Sequence, residues 1–95
     1  MKTGVLVTTL SDPESETQLG NPWQVVLFND DVHSFEEVIL QLQKATGYSL
    51  ERATELTFRV HHNGKAVVYI GSKEDCEKVA KVLQQIRLIV QVEKT

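Results

Sequence analysis

The six residues from Trp23 to Phe28 carry apolar side chains at nearly every position. A strand that is apolar on both faces belongs in the interior of a sheet, where layers or neighbouring strands shield it from water. This strand runs directly into the polar sequence Asn29-Asp30-Asp31. Apolar residues at helical spacing then follow. We therefore expect a fold organised around an interior strand that ends in an acidic turn just before a helix.

Capping residues predict where the first two helices begin and end. The first helix is expected from Phe35 to Thr46, with Ser34 and Glu37 forming a capping box and Gly47 ending the helix. Ser49 is expected to cap a second helix, which ends near His61-His62 because Asn63-Gly64 supplies a left-handed stop. The inward stripes predicted for these two helices are Phe35, Val38, Ile39, Leu42 and Ala45, and then Leu50, Ala53, Leu56, Thr57 and Val60.

Apolar runs predict two further strands, over residues 66–70 and 88–92. Between them, Ser72 is expected to cap a third helix. The buried face of this helix is predicted to contain Cys76, Val79, Ala80, Leu83 and Ile86. The order of elements is strand, helix, helix, strand, helix, strand. It predicts an α+β fold with three helices packed on one face of a three-stranded sheet.

Size and composition suit one small domain. The chain has 95 residues, of which 41% are hydrophobic, and a formal net charge of −3. We expect a polar, flexible extension over residues 1–22 and a folded core over residues 23–95. No basic face that would indicate nucleic-acid binding is visible, nor a segment suited to crossing a membrane. The single cysteine, Cys76, allows no internal disulfide and fits a reduced, cytoplasmic compartment.

The acidic turn is the best candidate for a binding site. If the end of the second helix packs beside the start of the first, His61 approaches Asn29 and Asp30. An amide oxygen, a carboxylate and a neutral imidazole nitrogen are all acceptors, and an ammonium group donates three hydrogen bonds and accepts none. Phe35, Val38, Thr57 and Val60 would line an apolar hollow beside them. The alternative is a solvated turn in which these residues only shape the turn and cap helices.

Catalytic and metal-binding interpretations find less support in the residues. Cys76 falls on a predicted buried helical face and suits a core thiol better than a nucleophile. His33, His61 and His62 with the two aspartates match no zinc-ligand spacing, and no glycine-rich phosphate loop is present. We therefore expect no enzyme, no metal and no cofactor.

Three segments of the chain resemble the ClpS adaptor family, and the terminal Val92-Glu93-Lys94 also fits. The resemblance runs from Trp23 to the end of the chain. The family's fold is similar to the C-terminal domain of the ribosomal stalk protein, which agrees with the order of elements above. The segments are Val25-Val26-Leu27-Phe28-Asn29-Asp30-Asp31, Glu51-Arg52-Ala53-Thr54 and Val60-His61-His62-Asn63-Gly64-Lys65-Ala66.

The resemblance implies an adaptor that binds N-end rule substrates (N-degrons) by their free α-amino group and bulky hydrophobic first residue. It further implies delivery, as a monomer, to a Clp ATPase of the ClpA or ClpC type for degradation by ClpP. Asn29, Asp30 and His61 would hold the α-amino group, while Asp31 shapes the turn. Residues 1–22 would be the arm used in delivery. The side-chain pocket would comprise Phe35, Val38, Thr57, Val60 and Leu88, and the surface for the ATPase N-domain would include Glu74 and Lys78.

Three departures from the family pattern suggest a variant paralogue. His33-Ser34 stands where a threonine-proline is usual, and Phe35 and Thr57 replace methionines at the pocket. A smaller residue at position 57 opens the pocket to branched side chains, whereas Phe35 takes space back. The connection before the last strand is also shorter than usual, which bears on Leu88. Two rival interpretations are a modulator that binds a Clp ATPase without carrying cargo and a ribosome-linked domain of the same fold.

Overall fold

The computed structural model describes residues 22–95 and shows the expected α+β architecture. The elements are β1 (Trp23–Phe28), α1 (Phe35–Thr46), α2 (Leu50–Asn63), β2 (Lys65–Gly71), α3 (Lys73–Gln84) and β3 (Val90–Lys94). The predicted extension lies outside the described residues except for Pro22, whose carbonyl accepts a hydrogen bond from the amide of Thr95 at 3.1 Å. Within residues 22–95, no helix combines the length and apolarity needed to cross a membrane.

The strand that is apolar on both faces lies at the centre of the sheet. The three strands are antiparallel in the order β2-β1-β3, so β1 has a neighbour on each edge. Val25 and Leu27 are completely buried and belong to the same core cluster as residues from all three helices. A shift in register between Val25 and Val26 leaves Val68 of β2 without a direct partner, and Val68 is buried in that core. The interior position predicted for β1 is confirmed.

The helices begin and end where their capping residues predict. Ser34 and Glu37 form the capping box of α1, and Gly47 ends that helix with a φ of 79°. The hydroxyl of Ser49 accepts from the amide of Arg52 at the start of α2. α2 and α3 pack on the sheet, while α1 packs mainly against those two helices. The predicted stripes of α2 and α3 are mostly buried, although Leu50, in the first turn of α2, is exposed. In α1 only Leu42 of the predicted stripe is buried, and its other members are half-buried.

The connection between α3 and β3 differs from the prediction. α3 ends at Gln84, so Ile86 follows the helix and is not part of its buried face. The amide of Arg87 donates to the carbonyl of Gln84 at 2.9 Å, and Arg87 has a φ of 65°. β3 therefore begins at Val90 and continues to Lys94, instead of covering residues 88–92. Leu88 is buried before the strand starts, and it lines the cavity described below.

Candidate functional site

A cavity of about 270 Å³ opens where β1 ends, between the start of α1 and the end of α2. All nine residues predicted for the amine site and the side-chain pocket line it. Four further lining residues are Leu27, Phe28, His33 and Ser34. The nine predicted residues are Asn29, Asp30, Asp31, Phe35, Val38, Thr57, Val60, His61 and Leu88.

Backbone hydrogen bonds hold the two halves of the cavity together. The amide of Asn29 donates to the carbonyl of Gly64 at 2.9 Å, and the amide of Gly64 donates to the carbonyl of Val60 at 2.9 Å. Gly64 has a φ of 86°, which glycine adopts without steric cost. The end of β1 is thus tied to the residue that stops α2. This places His61, in the last turn of α2, at the same cavity as the acidic turn.

Asp30 organises the acidic turn through both of its carboxylate oxygens. Oδ1 accepts from the amides of Val32 and His33, each at 2.9 Å, and Oδ2 lies 2.7 Å from Nδ1 of His33. The backbone hydrogen bond from His33 is the main cause that lowers the pKa of Asp30, and the bond from Val32 acts in the same direction. Asp30 is therefore an ionised carboxylate with a fixed orientation at neutral pH. These turn-shaping bonds belong to Asp30, although Asp31 was expected to shape the turn.

His33 contacts two distant parts of the site and was not predicted as a site residue. Nδ1 contacts Asp30 in the turn, and Nε2 contacts the carbonyl oxygen of Ile86, 53 residues away. The side-chain hydrogen bond to Asp30 is the main cause that raises the pKa of His33. The spacing of three residues between Asp30 and His33 could have suggested the first contact. Nothing local in the sequence indicates the second.

The apolar side of the cavity is built from α1, α2 and Leu88. Val60 and Leu88 are buried, and the hydroxyl of the buried Thr57 donates to the carbonyl of Ala53 at 2.8 Å. Threonine hydroxyls in helices commonly bond the carbonyl one turn back in this way, and the methyl group of Thr57 is then its apolar contribution to the cavity wall. The polar atoms of this wall are thus satisfied internally, and the wall suits an apolar side chain.

Phe35 connects the apolar wall with the imidazole of His61. The ring of Phe35 packs edge-to-face on His61 and on Phe58, with centroids 5.0 Å apart in both pairs. Edge-to-face pairs of this kind restrict ring orientation. Phe58 was not predicted to take part, because it is largely exposed and lies outside the inward stripe of α2. Its contact with Phe35 places it at the rim of the site.

The two residues predicted to contact an ATPase lie on α3 and outside the cavity. Nζ of Lys78 is 3.9 Å from Oε2 of Glu74, and both side chains are at least 70% exposed. They border a shallow groove of about 470 Å³ together with Glu77, Lys81 and Gln84. An exposed ion pair contributes little to stability, so both charges are available to a partner.

The chemistry of the cavity suits a cationic group beside an apolar one. Asn29 offers an amide oxygen, Asp30 a carboxylate, and a neutral His61 one acceptor nitrogen. Among residues 22–95, no three His, Cys, Asp or Glu side chains lie close enough together to hold a metal ion. Cys76 is buried, and its burial raises the pKa of the thiol. Because the thiolate is the nucleophilic form of cysteine, a raised pKa is typical of a core residue and not of a nucleophile.

Comparisons with known proteins place the chain in a family of proteolytic adaptors. The family model for the ATP-dependent Clp protease adaptor protein ClpS matches residues 18–89. This match covers most of the chain, and the chain therefore belongs to the ClpS family.

Individual relatives agree with this assignment. The chain is 40% identical over 72 residues to the ATP-dependent Clp protease adapter protein ClpS of Corynebacterium jeikeium, covering 76% of this chain and 71% of that protein. It is 42% identical over 57 residues to the protein of the same name from Streptomyces coelicolor, covering 60% of this chain and 59% of that protein. The matched region thus spans only part of each relative.

A solved structure shares the fold. It is the structure of Agrobacterium tumefaciens ClpS2 bound to L-phenylalaninamide, with a TM-score of 0.74 and 23% sequence identity. The similarity covers 79% of this chain and 98% of that one. The sheet with three helices described above is therefore the ClpS fold.

Proposed function

We propose that this chain is an adaptor that binds the free α-amino group and hydrophobic first residue of N-degron substrates and delivers them to a Clp ATPase. Degradation by ClpP then follows. The observation that carries this proposal is that Asn29, Asp30 and His61 line the same cavity as the apolar side chains of Val38, Val60 and Leu88. A chain terminus with a hydrophobic first residue presents the matching pair of groups.

In this mechanism the α-ammonium donates to the amide oxygen of Asn29, the carboxylate of Asp30 and the neutral imidazole of His61. The first side chain enters the hollow between Phe35, Val60 and Leu88. A cavity of about 150 Å³ is known to hold a benzene ring, so a volume of about 270 Å³ accommodates a side chain the size of phenylalanine. The compound bound by A. tumefaciens ClpS2, L-phenylalaninamide, combines a free α-amino group with such a side chain.

The expected affinity is modest. Burying a side chain the size of Leu or Phe contributes roughly 1.5–3 kcal/mol, and a hydrogen bond to a charged group about 1.5–3 kcal/mol. Association costs at least about 4 kcal/mol. One buried side chain and three such hydrogen bonds reach a net of about 8 kcal/mol at the upper end of these ranges, so the dissociation constant is at best on the order of micromolar. Such an affinity permits release of the substrate to the protease.

Delivery requires a second surface that stays accessible while substrate is bound. Glu74 and Lys78 on α3 are exposed and share no residue with the cavity lining. We assign these two residues to contact with the N-domain of a ClpA- or ClpC-type ATPase. In this scheme the adaptor carries substrate on one side of the α-helical layer and contacts the ATPase through the outer face of α3.

The proposal is tested with fluorescent peptides that begin with phenylalanine and carry either a free or an acetylated N-terminus. Acetylation removes the positive charge and two of the three N–H donors. We expect micromolar binding of the free peptide in fluorescence polarisation and a loss of at least about a hundredfold for the acetylated one, from two charged hydrogen bonds. Equal affinities would exclude amine recognition. A protein that binds the ATPase N-domain but neither peptide would be a modulator without cargo.

A further inference from the structure

His33 contacts two segments that each contribute residues to the cavity lining, the acidic turn and the connection between α3 and β3. Nδ1 is 2.7 Å from Oδ2 of Asp30, and Nε2 contacts the carbonyl oxygen of Ile86. The side chains of His33 and Asp30 are only 11% and 16% exposed. The imidazole therefore joins the acidic turn to the connection between α3 and β3 in a setting with little water.

Both partners of the ring are hydrogen-bond acceptors. A carboxylate oxygen and a peptide carbonyl oxygen have no proton to donate. A neutral imidazole has one N–H and one lone pair, so it satisfies one partner and directs a lone pair at the other. The imidazolium form has two N–H groups and satisfies both. The geometry of these two contacts thus matches the charged form of His33.

The two contacts of the His33 ring affect both the polar and the apolar part of the cavity. On the polar side it fixes Oδ2 of Asp30, whose Oδ1 is already fixed by two backbone amides. The one remaining lone pair of that carboxylate, on Oδ2, then keeps a fixed orientation for a ligand. On the apolar side it holds Ile86, two residues before Leu88, which is buried and forms part of the cavity wall.

We propose that His33 is a positioning residue that clamps the acidic turn to the segment carrying Leu88 only when its ring is doubly protonated, and so makes binding of an α-amino group depend on the charge of His33. This inference rests on the proposed function. His33 touches no substrate in this scheme and acts through Asp30 and Leu88.

The charged groups around the ring favour the protonated form. Asp30 in the turn and Glu37 on α1 both raise the pKa of His33, as does the carbonyl of Ile86, while burial lowers it. The α3–β3 connection also contains Arg87, which is exposed, and α2 contributes His61 to the same cavity. Because the pKa of His33 in the folded protein is raised above its ordinary value, the clamp is present below that ordinary value. It is lost as the pH rises through the raised pKa.

The protonation state of the ring can be measured directly. In ¹⁵N-labelled protein without ligand, the two ring nitrogens of His33 are followed by NMR between pH 5 and 9. We expect both nitrogens to be protonated at pH 6.5, with a midpoint above that of histidine in an unstructured peptide in the same buffer. A neutral ring at pH 6.5, or a midpoint at or below that of the peptide, would overturn the clamp.

The effect on binding is measured with a free phenylalanine-initiated peptide across the same pH range. The variants are His33→Gln, which is neutral at every pH, and His62→Gln as a matched control that lies outside the cavity lining. The peptide and every residue of the cavity other than His33 are the same in wild type and His33→Gln, so the ratio of dissociation constants between variant and wild type isolates His33. For His33→Gln we expect a ratio of about ten at pH 6, from the loss of one charged hydrogen bond, that falls toward one at high pH.

The possible outcomes separate the clamp from the proposed function. A ratio for His33→Gln that stays constant with pH, or that matches His62→Gln throughout, would show that the charge of His33 does not control binding. If wild type binds no peptide at any pH, the proposed function and the pH-dependent affinity both fail. The NMR measurement on wild type then still decides whether the clamp exists, and it does so even if His33→Gln does not fold.

Discussion

The acidic turn at residues 29–35 and the α3–β3 connection at residues 85–89 both contribute to one cavity, but they are specified differently. The bonds that shape the turn join residues two or three positions apart, between Asp30 and the amides of Val32 and His33. The connection instead contacts residues of the site that are distant in the sequence. Ile86 contacts His33, and the carbonyl of Ile89 accepts from the amide of Phe28 at 3.0 Å.

This difference shows which parts of a site local chemistry can specify. A carboxylate that accepts from amides two and three residues ahead forms the same turn in many surroundings. No local sequence signal of this kind specifies the α3–β3 connection. The pairing of β3 with β1 and the burial of Leu88 decide where β3 begins. The two regions should therefore respond differently to mutation, one mainly through binding and the other mainly through stability.

The largest effect on stability is expected in the connection, from Leu88→Ala. Leu88 is 4% exposed, and truncating a buried leucine costs about 2–5 kcal/mol. Its neighbour Ile89 is 58% exposed, so Ile89→Ala is a matched control expected to cost less than about 1 kcal/mol. Urea unfolding of both variants measures the difference. Similar losses for the two variants would show that Leu88 is not the residue that anchors this segment.

In the turn, we expect an effect of intermediate size on peptide affinity. It should be larger for Asp30→Ala than for Asp31→Ala. Losing a charged hydrogen bond to the α-ammonium costs about 1.5–3 kcal/mol, which corresponds to roughly ten- to a hundredfold in peptide affinity. Asp31 is exposed and lacks the three turn bonds of Asp30, so Asp31→Ala should weaken binding less. Fluorescence polarisation with the free peptide measures both.

Because Asp30 also shapes the turn, circular dichroism and urea unfolding should accompany the binding measurement for both aspartate variants. If Asp31→Ala weakens peptide binding more than Asp30→Ala, Asp31 is the carboxylate that meets the amine. That result would also show that Asp30 shapes the turn while Asp31 binds the amine.

The smallest effect on stability is expected from Lys78→Ala, which lies in neither region. Its exposed ion pair with Glu74 should change the free energy of unfolding by less than about 0.5 kcal/mol. Peptide binding should not change, whereas affinity for the N-domain of a Clp ATPase should fall. Binding to that N-domain is measured by calorimetry, with Lys44→Ala on α1 as a control. A loss of peptide affinity in Lys78→Ala would mean that α3 and the cavity are not independent.

Local chemistry in the sequence was sufficient to predict where all three helices begin and where α1 and α2 end. Each serine cap and both left-handed glycines lie where their residue types predict, because each satisfies backbone groups within three or four residues. The interior position of β1 followed from its apolar composition on both faces. The order of elements and the resemblance together predicted that Asn29, Asp30 and His61 meet at one cavity, and all three line it although their segments are about thirty residues apart along the chain.

Only the tertiary structure decided how the second half of the cavity is closed. The apolar run over residues 88–92 reads as one strand, yet the chain turns at Arg87, buries Leu88 and pairs with β1 only from Val90. The contact of His33 with Ile86 and that of Phe35 with Phe58 likewise join residues with no local signal between them. The physical reason is the range of the interactions. Caps and turns are settled within a few residues of backbone, whereas strand limits and cavity walls depend on which distant surfaces are buried together.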